Sequence, residues 1–445
     1  MTTPWTTERI LALAPDSSSA SAGRGLAAKK HWVTLGKNDN AIWGECQGSG
    51  KNPYQTRIDS LEPAFKCSCP SRKFPCKHGI GLFLLLSSNP EAFTGDAVPA
   101  WVTEWLEGRA KRTETKETKK AEVAADPKAA EKRSAAREKK VKAGLEDLSV
   151  WLQDLIRTGL SSLPTKPYSF WDGMGARLID AQAPGVARMV RDLAGIPSSR
   201  DGWAERLLER MAKIHLLCEA YTRLEQLTER VQNDVRTTIG FTQNQDELLE
   251  QAGMKDHWHV LGIVEERLDR LRARRAWLYG KNSGQYALLL DFAHGNLPFE
   301  RILEPSSVLN GELVYFPSNL PTRAIIKKAE RDLSSTVQTL DGMLGFETML
   351  EKYAQAIAAN PWTERIPVCI SNLVPQVSES TWMLRDASDQ VLGLHPNFRH
   401  VSSLLAVSGG HPITIFGEYD GRTLLPLMLH SSDGVFIQTH TQEDT

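Results

Sequence analysis

Cys67, Cys69, Cys76 and His78 lie within twelve residues of a 445-residue chain that has six cysteines in all. They form a C-x-C-x6-C-x-H string inside FKCSCPSRKFPCKHGIGLFLLL. Three thiolates and one imidazole complete a tetrahedral zinc shell and leave no open position for substrate or reactive water, so the set points to a structural rather than a catalytic ion. Cys67 and Cys69, two residues apart, point the same way in extended chain. The apolar run from Gly79 to Leu86 reads as a buried helix with Cys76 and His78 at its start, where exposed amides favour thiolate. Three thiolates on one zinc carry a formal charge of −1, which Lys66, Arg72, Lys73 and Lys77 can offset; the same collar could serve a partner. The competing readings are two disulfides, or buried thiols that happen to cluster. A Cys67–Cys69 bridge would be badly strained, and nothing in the sequence suggests an oxidising compartment.

The length exceeds one compact core and suggests two to four domains. No apolar run is long enough to span a bilayer, and the N-terminus lacks the basic head of a signal peptide, so a cytoplasmic location is expected. Residues 1–142 hold 24 Lys/Arg against 16 Asp/Glu, or +8, which leaves −9 for the rest of a chain with a net charge of −1. That split suits an anionic partner for the front half, or attraction between the two halves.

The patterning gives a multidomain α+β protein. Residues 1–106 read as a small α+β unit with strands HWVTL, AIWGEC and YQTRI, closed by the finger. The turn at Gly48 to Lys51 resembles a phosphate loop only superficially, because Glu45 and Asn52 stand where glycine and Ser/Thr belong. Residues 107–144 read as a charged linker, helical in part at most, since the span 108–142 has no Leu, Ile, Phe, Trp or Tyr. A basic arm for nucleic acid is the other reading of that span. Residues 145–240 form a helical domain, with Trp203, Leu207, Met211, Ile214, Cys218, Tyr221, Leu224 and Val231 on one face and His215 beside it. Residues 255–445 read as a β-rich α+β domain with a helical piece from about Arg323 to Ala359 and a hairpin at Asp420-Gly421. Cys369 reads as a buried strand residue.

The candidates for catalysis are loose. His257 and His259 could ligate a metal from a strand but lack a third ligand nearby, and a domain-entry segment with a packed Trp258 is the simpler reading. Asp172 and Asp180 could be acid and base, or helix caps. Ser408 to Pro412, with His411, reads as a turn. Trp32 and Trp43 either grip single-stranded nucleic acid or form the core of the small unit. The expectation is therefore no enzyme.

The ligand string resembles the SWIM zinc finger, residue by residue at Cys67, Cys69, Cys76 and His78. The segments ARLIDAQAPGVARMVRDLAGI, WLYGKNSGQYALLLDFA and LLAVSGGHPITIFGEYDG resemble bacterial SWIM zinc finger proteins of about this length. Members of that group are typically encoded beside a MoxR-type AAA ATPase and a von Willebrand A-domain protein. The resemblance implies a zinc-dependent adaptor with those partners, and SWIM domains more broadly imply binding to DNA or protein. DNA or RNA binding through the basic finger and linker is the alternative.

Overall fold

The computed structural model describes residues 7–443 other than 13, 15–16, 39, 49, 51, 60–63, 72, 74, 95–96, 110–126, 200–201, 269–270, 295–298, 300, 302, 338, 341, 379–380, 432–435 and 439–440. The chain divides into two compact units. The first comprises residues 1–130 with the short pieces 270–272 and 293–300, and the second comprises the remainder.

In the first unit, helices α1 (Thr7–Ala12) and α2 (Ser17–Gly25) precede a four-stranded antiparallel sheet of β1 (Trp32–Lys37), β2 (Ala41–Cys46), β3 (Tyr54–Asp59) and β4 (Phe65–Cys67), paired in chain order. Helix α3 (Lys77–Ser88) follows, then α4 over residues 100–109. Alternation sorts β2 onto two cores. Ile42 and Cys46 join Ile58, Phe65, Ile80, Leu82 and Leu85, while Ala41 and Trp43 pack with Val102 of α4. Trp32 and Trp43 are thus core residues, not a stacking platform. Glycine sets the closeness of α2 to α3: a Cβ at Gly81 would lie 2.7 Å from Leu26 Cβ.

The second unit begins at Glu131, within helix α5 (Pro127–Thr158), and continues with α6 (Tyr168–Asp180), α7 (Pro184–Asp192), α8 (Trp203–Thr222) and α9 (Glu229–Ile239). Leu148, Trp171, Val186, Ile214, Cys218 and Val235 lie in their shared core. Here the charged linker expected over 107–144 is corrected. Residues 110–126 lie outside the described residues, but from Pro127 the chain is already α5. A helix needs only one buried residue per turn to dock, and Val141, Leu145, Leu148 and Leu152, spaced by four, three and four, supply it. Polar anchors extend the contact further towards the N-terminus. Arg137 donates to the Gly240 carbonyl at 3.0 Å and lies over the Phe241 ring, and Glu138 accepts from Tyr221 and Arg236.

After α10 (Gln245–Glu250) the unit is β-rich. One sheet orders β7 (Tyr286–His294), β6 (Leu271–Gly280), β5 (Met254–Leu268), β8 (Ser307–Tyr315) and β9 (Ala324–Thr336). Beyond β10 (Met343–Leu344) and α11 (Gly345–Ala359) come β11 (Ile366–Ser378), β12 (Thr381–Arg385), β13 (Val391–Leu394), α12 (Val401–Ser408), β14 (Ile413–Tyr419) and β15 (Thr423–His430). The pairings β11–β12, β12–β13, β13–β15, β15–β14 and β14–β11 close into a ring. β16 (Phe436–Gln438) pairs with β15, and β17 (Thr441–Glu443) with β5. Gly262 lets the two sheets meet, since a Cβ there would lie 2.7 Å from Leu427 Cβ. The helical piece expected from Arg323 is corrected too: residues 324–336 are β9, ladder-paired to β8, and the helix begins only at Gly345.

A buried charge sits in the joint core. Glu418, 3% exposed, accepts from Trp277 Nε1 at 2.8 Å, Arg275 Nε at 3.2 Å and Arg365 Nη1 at 3.1 Å. Burial opposes its ionisation, but the two guanidinium groups prevail and hold its pKa below the ordinary glutamate value. Substituting Glu418→Gln removes the buried charge that Arg275 and Arg365 share, leaving them only Glu266 and Glu364, and urea unfolding of the second unit should show a loss of about 3 kcal/mol at pH 7. Because the folded pKa is lowered, the wild-type advantage is full above the unfolded glutamate value of about 4.3 and fades as pH falls through the folded value, so the two proteins should converge in acid. Parallel melts at pH 7 and pH 3 check both outcomes.

Candidate metal centre

Two elements present the four donors. Cys67 ends β4, where the antiparallel register sets it opposite Thr56 of β3. Past the strand, Ser68 N still donates to the Gln55 carbonyl at 3.0 Å and so carries Cys69 onward beside β3. Cys76 is the N-cap residue of α3, and its carbonyl accepts from Ile80 N at 3.1 Å. His78 falls in the first turn of α3, 4% exposed, with Tyr54 5.0 Å away ring to ring. Cys76 is buried, and Cys67 and Cys69 are half-buried.

The donor atoms lie within 4.8 Å of one another. His78 Nδ1 is 3.7 Å from Cys67 Sγ and 3.9 Å from Cys76 Sγ. A tetrahedral zinc with sulfur at about 2.3 Å and nitrogen at about 2.1 Å has S···N edges of about 3.6 Å, so the set fits that ion. All six cysteines are free, so neither disulfide reading applies.

The thiols oppose one another's ionisation. A hydrogen bond from Cys76, with further ones from His78 and Thr56, outweighs burial and lowers Cys67 to about 3. Cys76 is pushed far upward by that same hydrogen bond and by burial, and burial raises Cys69. These shifts work against simultaneous ionisation of the three thiols, and a divalent cation held by the set would supply charge that favours thiolate. Among the described residues this is the one group of three or more His, Cys, Asp and Glu side chains placed to hold a metal ion.

Lys66, Lys73 and Lys77 are exposed around the site, with Lys73 Nζ 3.1 Å from Ser18 Oγ. Arg72 lies outside the described residues. Thr56, Tyr54 and Arg57 escaped the sequence reading because only strand pairing brings β3 to the site. Arg57 is buried over the rings of Trp101 and Trp105.

The other candidates are dispersed. Asp172 lies within α6, not at its start, and accepts from Arg191 Nε at 2.7 Å. Asp180 ends the same helix, about 12 Å along its axis at about 1.5 Å per residue. Trp258, between His257 and His259 on β5, is fully buried. His411 is exposed beyond the left-handed Gly409 and Gly410 at the end of α12. Cys218 and Cys369 are core residues.

Residues 65–87 match the family model of the SWIM zinc finger, and residues 136–239 match that of the SWIM-associated four-helix bundle domain. The second match starts inside the stretch that the sequence reading had assigned to the linker. No curated protein and no solved structure matches the chain.

Elemental analysis of the full-length protein should find about one zinc per chain, and Cys76→Ser should lose it. Because such ions supply roughly 10–16 kcal/mol of apparent binding free energy to small zinc domains, metal loss should unfold the first unit. Hydrogen exchange with and without chelator checks this: protection should collapse over residues 32–88 and persist over residues 136–239.

Proposed function

We propose that this chain is a cytoplasmic, non-enzymatic zinc protein that acts as an adaptor, with a MoxR-type AAA ATPase and a von Willebrand A-domain protein as partners. The observation that carries the reading is the closed donor set. Cys67, Cys69, Cys76 and His78 use all four positions of a tetrahedral ion, so the zinc organises the first unit and leaves its surface to recognise something else. The structural roles of Asp172, paired with Arg191, and of Trp258, buried in the sheet core, agree with this. Among the described residues no helix is long and apolar enough to cross a membrane.

Nucleic acid binding is the second reading, and the exposure of Lys66, Lys73 and Lys77 favours it. The burial of Trp32 and Trp43 weighs against it, because single strands are held by exposed rings as well as by charge.

Capture of the tagged, natively expressed protein after crosslinking should recover the ATPase or the A-domain protein, and nuclease treatment should leave that recovery unchanged. A protein that elutes alone defeats the adaptor reading. Binding to single-stranded DNA that falls by orders of magnitude between about 50 and 200 mM salt, and vanishes in K66E/K73E/K77E, would install the second reading in its place.

A further inference from the structure

Within the second unit, a cleft of about 440 Å³ opens where α9 meets the β8–β9 turn. It falls in the size range of small-ligand sites. Its wall is held in place from both sides. Asp234 of α9 accepts from Ser318 Oγ at 2.6 Å and from Asn319 N at 2.9 Å, which pins the turn to the helices. Leu288 N donates to the Thr322 carbonyl at 2.8 Å, and Phe316 N to the Arg323 carbonyl at 2.9 Å.

Two cations line this cleft and they differ. Arg365 is engaged with buried Glu418. Arg323 makes no ion pair and no side-chain hydrogen bond among the described residues; its guanidinium carbon lies over Phe316, 4.3 Å from the ring centroid, and the residue is half-buried. A guanidinium keeps its charge under such burial, and stacking leaves its edge donors open. The Gln243 Oε1 atom, also in the wall, is buried with no donor. Buried polar groups are normally satisfied, so an unmatched cation and an unmatched acceptor in one cleft indicate a missing partner. Trp277, Leu288 and Phe316 supply apolar wall beside them.

We propose that this cleft binds a small organic monocarboxylate with an apolar or aromatic body and a hydroxyl group, its carboxylate on Arg323 and its hydroxyl donating to Gln243. One unneutralised cation matches one negative charge, and the Asp234 carboxylate in the wall disfavours a dianion such as a phosphate monoester.

The test uses the full-length, zinc-replete protein and 4-hydroxyphenylacetate, with its neutral amide as control, measured by calorimetric titration. The acid should bind with Kd on the order of 0.1–1 mM, the amide at least about tenfold more weakly. Arg323→Gln should weaken the acid by at least about tenfold while zinc content stays unchanged and the melting temperature falls by no more than a few degrees, since Arg323 loses only its contact with the Phe316 ring. Gln243→Glu, which places a like charge in the cleft, should weaken it as well. Equal binding of acid and amide, full affinity in R323Q, or no heat up to about 10 mM acid would each overturn the assignment. So would selective binding of an apolar tripeptide that needs a free C-terminus, which would assign the cleft to a polypeptide end.

Discussion

Three thiols placed around one imidazole cannot all ionise on their own account. A hydrogen bond between Cys67 and Cys76 lowers the pKa of the first and raises that of the second, and burial raises Cys69. Electrostatic demand for a cation is therefore built into the fold of the first unit. It reaches the core through α3, which begins with Cys76 and His78 and continues as Ile80, Leu82 and Leu85. The ligand from β4 is held by the sheet register, opposite Thr56. Ion, sheet and helix are thus mutually dependent, as expected where an apolar core of this size is modest.

What could be read from the residues followed from how local each signal was. The Cys67 to His78 string lies within one turn and its flanks, so its chemistry was legible without any knowledge of pairing. Thr56, Tyr54 and Arg57 were not, because a separate strand delivers them. The start of the helical region was misplaced for a different reason: Arg137 and Glu138 look like solvated charges until Gly240, Tyr221 and Arg236, about a hundred residues on, are seen to receive them. Residues 324–336 carry charged and apolar residues in proportions that suit a helix equally well, and only the presence of β8 decides for a strand.

The β-rich region was visible as short runs with glycine turns, and its hairpin at Asp420-Gly421 forms as the pattern suggested, with Gly421 left-handed and Asp420 accepting from Arg422 N and Thr423 N. The closure of its strands into a ring was not visible. That closure depends on β11, which pairs with β14 along one half and with β12 along the other, and on the irregularity between Ile370 and Leu373 where Asn372 turns left-handed. A single long strand serving two neighbours leaves no periodic trace in sequence.

Asp256 of β5 accepts from the backbone amides of Asn282 and Ser283 in the turn that joins β6 to β7. A carboxylate on a third strand therefore answers donors that most two-strand turns satisfy internally or with water. The hairpin tip thus carries bonds of two kinds: Gly280 N to the Gln285 carbonyl and Gly284 N to the Gly280 carbonyl close within it, while Asn282 N and Ser283 N rely on β5. The loop that looks most self-sufficient in the sequence is therefore tethered to a strand outside its own hairpin.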